Sequence, residues 1–137
     1  MQHVICYVST ASSELNTSKI EELLEKWQEW NSEKDIKGVL LYSDGHFFQV
    51  LEGEKARVLE LFVKIKNDPR HNDIIQVVGK DVEKGSLNGY MVDNLHNQRF
   101  SKPELIQTYL EAVKGMESQV QQQIKVIMGS FIDTQLL

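Results

Sequence analysis

Gln49 stands inside the run FFQVLEG (residues 47–53), flanked by apolar side chains. A buried primary amide must find hydrogen-bond partners or it costs roughly 1–3 kcal/mol by mutational measure. Taken alone, it reads as a satisfied structural glutamine, or as one on the solvent face of a strand whose residues alternate between faces. Tyr7, within HVICYVS (3–9), reads alone as a core tyrosine with its hydroxyl at the edge of a sheet. Side by side the two are a poor hydrolytic pair. A phenol next to an amide is, however, a good electron and proton donor beside a hydrogen-bond relay. Asn31 follows Trp30 at the end of a helical pattern, where asparagine is a common terminator. Arg70 and His71 follow Asp68-Pro69, a loop position where cations gain from a helix C-terminus.

Whether these residues meet depends on the elements that carry them. Residues 3–9 read as a first strand, β-branched and aromatic. After the polar stretch Ser9 to Asn16, Ser18 and Glu21 have the spacing of a capping box that opens a helix. Its Ile20, Leu23, Leu24, Trp27 and Trp30 recur at helical spacing and predict one buried face. IKGVLLYS (36–43) and HFFQVLEG (46–53) are strands joined at Asp44-Gly45, a pair that tolerates the positive φ of a tight hairpin. Residues 54–67 predict a second helix with Val58, Phe62 and Ile65 on one side, stopped at Asp68-Pro69. IIQVVG (74–79) is a fourth strand, and a fifth falls within 86–95.

The order βαββαββ describes an α+β ferredoxin-like sandwich with both helices on one face of the sheet. That topology sets the first and third strands side by side, so Tyr7 and Gln49 project from neighbouring strands beneath the helices. Ser101, Pro103 and Glu104 then open a further helix striped by Leu105, Tyr109, Leu110 and Val113. Gly115 breaks it before a last helix carrying Val120, Ile124, Ile127 and Phe131. The expected division is a domain over 1–97 and a helical extension over 98–137. The extension packs on or near the sheet, or offers a surface to a second copy or a partner.

Composition narrows the function classes. The 137 residues are 41% hydrophobic and 26% charged, ordinary for one globular domain. No run of eighteen apolar residues suggests a membrane span, and the start MQHVICYV lacks the pattern of a secretory signal. A single cysteine, Cys6, allows neither an intramolecular disulfide nor a thiolate zinc site, which points to the cytoplasm. The net charge of −5, from 15 basic and 20 acidic side chains, comes without a basic cluster, so nucleic acid is not an expected partner.

Over about residues 2–92 the chain resembles the BLUF domains, blue-light sensors that use flavin. The resemblance rests on CYVSTAS (6–12), GVLLYSDGHFFQVLEGE (38–54) and IKNDPRH (65–71). The spacing agrees as well: Asn31 lies 24 positions after Tyr7, and Gln49 lies 18 after Asn31. The resemblance implies a flavin held without covalent bonds, FAD with FMN or riboflavin as alternatives, and signalling without catalytic turnover to a partner protein. It implies that Tyr7 donates an electron to the light-excited flavin. Gln49 would sit between that phenol and the flavin N5 and C4 carbonyl, exchanging its hydrogen bonds after the transfer. Asn31 would hold the ring's polar edge at the C4 carbonyl and N3. Trp30 matches a position close to the ring, Leu23 an apolar packing position, and Arg70 and His71 a loop near the flavin's side chain and phosphate.

The match departs in the last strand, where the family usually shows Arg-x-Phe-x-x-Trp-x-Met. Here the segment is EKGSLNGYMVDN (83–94). One alignment sets Lys84, Ser86, Gly89 and Met91 on the four positions. A shift of one residue sets Leu87 near the phenylalanine and Tyr90 near the tryptophan. Both alignments lack the tryptophan, and Met91 is the expected strand residue that senses Gln49. An acylphosphatase-like hydrolase on the same scaffold would need a Gly-rich, arginine-bearing anion loop after the first strand, and STASSELNTS has neither. The alternative is a non-photoactive flavin- or protein-binding module on this fold.

Overall fold

The computed structural model describes residues 1–83, 85–87, 89–95 and 102–135. Its elements run β1 (Gln2–Ala11), α1 (Thr17–Glu33), β2 (Lys37–Ser43), β3 (His46–Glu54), α2 (Lys55–Lys66), β4 (His71–Val82), β5 (Tyr90–Asn94), α3 (Lys102–Val113) and α4 (Ser118–Gln135). The strands form one sheet in the order β4-β1-β3-β2-β5. Neighbours among the first four are antiparallel, and β5 joins β2 in parallel. This is the ferredoxin-like α+β arrangement that the element order predicts: β3 is inserted between β1 and β2, and β1 between β3 and β4.

β1 and β3 are apolar at successive positions because both faces of the sheet are covered. On one face Ile5, Tyr7, Leu40, Phe47 and Leu51 meet Ile20 and Leu24 of α1 and Val58 and Phe62 of α2. On the other, Val4, Cys6, Val39, Leu41, Phe48 and Val50 meet Tyr109 and Val113 of α3 and Val120, Ile124, Met128 and Ile132 of α4. Strand alternation thus sends Cys6 to the face opposite Tyr7. The β2–β3 hairpin turns on Asp44 at φ 44° and Gly45 at φ 84°, the positive pair of a primed turn.

Several local expectations change. Asn16, rather than Ser18, caps α1: its side-chain oxygen accepts from the Lys19 amide at 2.9 Å, and Ser18 is already helical. Glu21 instead accepts from the Asn94 side chain at 2.9 Å, tying α1 to β5. Asn31 does not end α1, which runs on to Glu33 and closes through Asp35 in the left-handed region at φ 58°. Trp30 leaves the buried stripe and is 48% exposed. β4 begins at His71, three residues before the expected strand, so only Arg70 of the Arg-His pair lies in the loop. Ser101 and the expected 97/98 boundary lie outside the described residues.

The sheet edge at β5 is fixed from beneath. The buried Glu52 carboxylate accepts from the Ser86 and Leu87 amides at 2.8 and 2.7 Å, holding the chain that leads into β5. β5 then lies against Gly38: a Cβ there would stand 2.1 Å from the Val50 carbonyl and 3.2 Å from the Tyr90 ring. Backbone and aromatic ring both block the added methyl, so Gly38→Ala is expected to lower stability by about 1–3 kcal/mol, as overpacking does. A urea midpoint unchanged from the parent protein would contradict this close packing.

Candidate functional site

The antiparallel pairing of β1 with β3 sets Tyr7 directly opposite Gln49. Both side chains point to the α1/α2 face and are 2% exposed. The Tyr7 hydroxyl donates to Gln49 Oε1, so the phenol and the amide are bonded where no water competes. Gln49 Nε2 donates in turn to the hydroxyl of Tyr90 on β5. The buried glutamine is therefore satisfied at both ends, as a polar group in a core must be. Burial drives the Tyr7 phenol well above its ordinary pKa, with Tyr90, Cys6 and Asp68 adding to the effect. Burial raises Tyr90 too, against hydrogen bonds from Asn31 and Gln49 that favour its phenolate. Both are neutral phenols at physiological pH.

Tyr7, Asn31 and Gln49 form the polar inner end of a cavity of about 470 Å³ between α1 and α2. Trp27, Trp30, Leu61 and Ile65 supply its apolar walls, and Lys34, Lys64 and Arg70 supply cations. The two tryptophans lie one turn apart on α1 and so border the same opening. Asn31 is 5% exposed although it sits in the last turn of α1, because its side chain turns inward to the Tyr90 hydroxyl.

His71 contributes its ring to the wall, but both nitrogens are engaged. Nε2 donates to the Ile65 carbonyl at 2.6 Å, and Nδ1 is bonded to the Ser9 hydroxyl at 2.8 Å. Its ring stands edge-on to Tyr7 and Phe47, with centroids 6.3 and 6.2 Å away. Arg70 is less available than the sequence suggests. Its guanidinium forks onto Asp68, with Nε to Oδ1 at 2.8 Å and Nη2 to Oδ2 at 2.5 Å, and lies over Trp27 at 5.6 Å. Burial works against the Asp68 carboxylate, yet the bonds and charge of Arg70 outweigh it and hold its pKa below the ordinary range.

The structure brings together Tyr7, Trp30, Asn31, Gln49, Arg70 and His71 around one cavity. Leu23 is buried but is not among the cavity-lining residues, so its side chain packs within the fold instead of bordering the opening. Met91 is not brought to Gln49. Alternation along β5 sends it to the opposite face, where it packs against the core beneath α3 and α4. The residue that reaches Gln49 is Tyr90, one position earlier. Of the other aligned positions, Lys84 lies outside the described residues, Ser86 is bonded to Glu52, Gly89 takes a φ of 79°, and Leu87 is buried on the Met91 face.

Lys34, Lys64 and Asp68 were not singled out by the sequence. Only Asp68 carried a signal, two residues before Arg70 in a turn. Lys34 and Lys64 reach the cavity through helix geometry that spacing alone does not reveal.

A largely apolar cavity closed by amides and a phenol at one end, and flanked by cations, suits a planar heteroaromatic ring with a phosphorylated tail. The fold and this site define a small α+β domain with a cavity that suits a ring-shaped ligand. The sequence model of the BLUF family, sensors of blue-light using FAD, matches residues 2–91, and the chain belongs to that family. Flavin binding and blue-light sensing are therefore properties of its family, and this domain is the sensory kind of module.

Among curated relatives, photoactivated adenylate cyclase subunit beta of Euglena longa is 34% identical over 73 residues, 53% of this chain and 8% of that protein. The blue light- and temperature-regulated antirepressor BluF of Escherichia coli strain K12 is 33% identical over 78 residues, 57% of this chain and 19% of that protein. The chain thus spans a small part of either relative. Among solved structures, a bacterial light-regulated adenylyl cyclase superposes with a TM-score of 0.69 at 28% identity, covering 91% of this chain and 40% of that one. BlsA in its photo-activated state superposes with a TM-score of 0.67 at 25% identity, covering 96% and 95% of the two chains.

The Asp68–Arg70 pair gives a prediction with a definite sign. The folded pKa of Asp68 is depressed, so its contribution is present above the unfolded value near 3.9 and is lost as pH falls through the folded value. Discounted for the partial exposure of Arg70, Asp68→Asn is expected to cost about 1 kcal/mol at pH 7. Denaturation midpoints of the two proteins should converge as the pH is lowered below 4. A gap that persists unchanged into acid would show that the pair is not its source.

Proposed function

We propose that Tyr7 and Gln49 form a light-operated hydrogen-bond switch on a bound flavin, and that the domain signals through it to a partner protein without catalytic turnover. The observation that carries this reading is the buried bond from the Tyr7 hydroxyl to Gln49 Oε1 at the inner end of a ring-sized cavity. A bound flavin supplies a ring that, once excited by blue light, takes up an electron and a proton and gives both back. The chain's own residues meet each requirement. The Tyr7 phenol gives up an electron, and its proton leaves along the bond to the Gln49 amide. Both return to the phenol, so no net oxidation remains. What persists is a changed set of hydrogen bonds at Gln49, each worth on the order of 1 kcal/mol.

Asn31 holds the polar edge of the ring and Trp30 provides a wall for it. His71 braces the cavity floor through Ser9 and Ile65. The flavin is read as FAD in preference to FMN or riboflavin. Support comes from Lys34 and Lys64, which border both the main cavity and an adjoining groove of about 330 Å³ that also includes Arg57. That groove gives a phosphorylated tail room, and its three cations outnumber the carboxylates of Glu33 and Glu60, the latter 3.6 Å from Lys64, while Arg70 is largely committed to Asp68.

For output, β5 touches the switch at Tyr90 and the C-terminal helices at Asp93, where the Tyr109 hydroxyl of α3 donates to the carboxylate. A change at Gln49 thus has a short route to the far face of the sheet. The partner is read as a protein acted on through those helices, with self-association through α3 and α4 as one form of it. No described helix is long and apolar enough to cross a membrane. The cytoplasmic reading rests on the lone, buried thiol of Cys6.

Two variants test the switch. Gln49→Leu should retain flavin and lose the reversible, light-induced red shift of its visible spectrum. Tyr7→Phe should bind flavin equally and lose the same photoreaction, since phenylalanine cannot donate the electron and proton. A normal photocycle in Gln49→Leu would remove Gln49 from the switch, and one in Tyr7→Phe would require another donor.

A further inference from the structure

We infer that Arg70 is a positioning residue that withholds Trp27 from electron transfer. Held over the Trp27 ring by Asp68, its guanidinium keeps that indole from competing with Tyr7. This deepens the reading of Tyr7 and Gln49 given above and rests on it.

The competition is set by what lines the cavity. Tyr7 and Trp27 both border it, so an excited ring placed there meets an indole as well as the phenol. An indole is a ready one-electron donor, because it can lose an electron and keep its proton. A buried phenol must lose both together, and here the bond to Gln49 takes the proton. Electron loss from Trp27 would therefore be the simpler event, and an idle one. One electron would leave the indole for the excited ring, with no bond formed or broken and no proton moved. The indole would stand as a radical cation until that electron returned. Gln49 would keep its bonds throughout, and the light would be lost without a switch.

The surroundings of Trp27 oppose this. The Arg70 guanidinium stands over its ring, 5.6 Å from the centroid. A cation there is attracted by the electron-rich face of a neutral indole and repelled by an oxidised one. Both effects make electron loss harder. Arg70 is fixed in that place by Asp68. Its Nε and Nη2 fork onto the carboxylate at 2.8 and 2.5 Å, and its backbone amide donates to the same group at 2.9 Å. The carboxylate offsets part of the charge while it holds the cation on the ring. Trp27 in turn packs edge-on to Phe47, with centroids 5.5 Å apart. Neither partner of the cation–ring pair is free to drift. Trp30, one turn further on, is 48% exposed and has no described cation over its ring, which makes it an internal reference.

The test has one part without flavin and one with it. In flavin-free protein, azidyl radicals made by radiolysis of azide solutions take one electron from indoles. They are neutral, so a change of protein charge does not alter their approach. Oxidised Trp27 and Trp30 are then quantified by peptide mass spectrometry. Arg70→Gln should raise the ratio of oxidised Trp27 to oxidised Trp30 about fivefold over wild type. Site-specific replacement of Arg70 by citrulline keeps the size and planarity of the side chain without its charge, and should do the same. That arm separates loss of charge from mere uncovering of the ring, and it serves if Arg70→Gln does not fold. The double variant Asp68→Asn/Arg70→Gln should match Arg70→Gln, since the carboxylate acts by placing the cation. A ratio within twofold of wild type in any folded member of this set would overturn the inference.

With flavin loaded, Arg70→Gln should form about half as much of the red-shifted state per absorbed photon, and Trp27→Phe/Arg70→Gln should regain the wild-type yield. A loss that Trp27→Phe does not reverse would place its cause elsewhere and also overturn the inference. A wild-type protein that never shifts would overturn the Tyr7–Gln49 reading and the donor competition with it, whereas the flavin-free ratio reports on Arg70 and Trp27 alone.

Discussion

The register between β1 and β3 is the constraint on which the rest of the structure depends. Tyr7 and Gln49 are separated by 42 positions, yet each is the other's cross-strand partner in an antiparallel pair. Side chains so paired share a face and stand within reach of one another. A slip of one residue would send one of the two to the face covered by α3 and α4 and leave the other buried without its partner. Coverage of both faces also fixes the register, since Cys6 and Phe48 on one side and Ile5 and Leu51 on the other would each be misplaced by the same slip. The packing that makes the domain stable is therefore also what aligns the donor with the amide.

From that pair the structure extends outward in two directions. Toward α1 and α2 it opens into a cavity whose walls are apolar and whose rim is cationic. Toward β5 it continues through Tyr90, with Glu52 anchoring the preceding chain from the opposite face of the sheet. β5 is thus held by contacts on both sides: Tyr90 belongs to the core under α1 and α2, while Met91, and Leu95 just past the strand, belong to the core under α3 and α4. A strand shared between two cores is well placed to pass a change in hydrogen bonding at one of them to the other.

Much of this was legible in the sequence because it depends on local rules. Asp44-Gly45 fixed the hairpin, alternation separated Cys6 from Tyr7, and element order predicted which strands are neighbours. Gln49 in an apolar run was an anomaly that read, alone, as a satisfied structural glutamine, and it became a site only when the topology set it beside Tyr7. The sequence was less informative where a contact depends on three-dimensional closeness alone. Asn31 looked like a helix terminator because its residue type suits that role, and only the position of Tyr90 shows why it turns inward. Met91 was expected to face Gln49, but the phase of a five-residue strand cannot be set by a weak pattern, and an error of one position reverses the face. Asp68 stands two residues before Arg70 in one turn, so their pairing was within reach of the sequence, but the fork that occupies most of the guanidinium was not.

The most direct test of the Tyr7–Gln49 switch is the visible absorption spectrum of the flavin-loaded protein, recorded before and after blue light and followed through dark recovery. A switch that moves hydrogen bonds and returns its electron predicts a reversible red shift of the flavin bands without bleaching. Bound flavin whose spectrum does not shift, or bleaches without shifting, would contradict it and leave the domain a flavin-binding or redox module on the same fold.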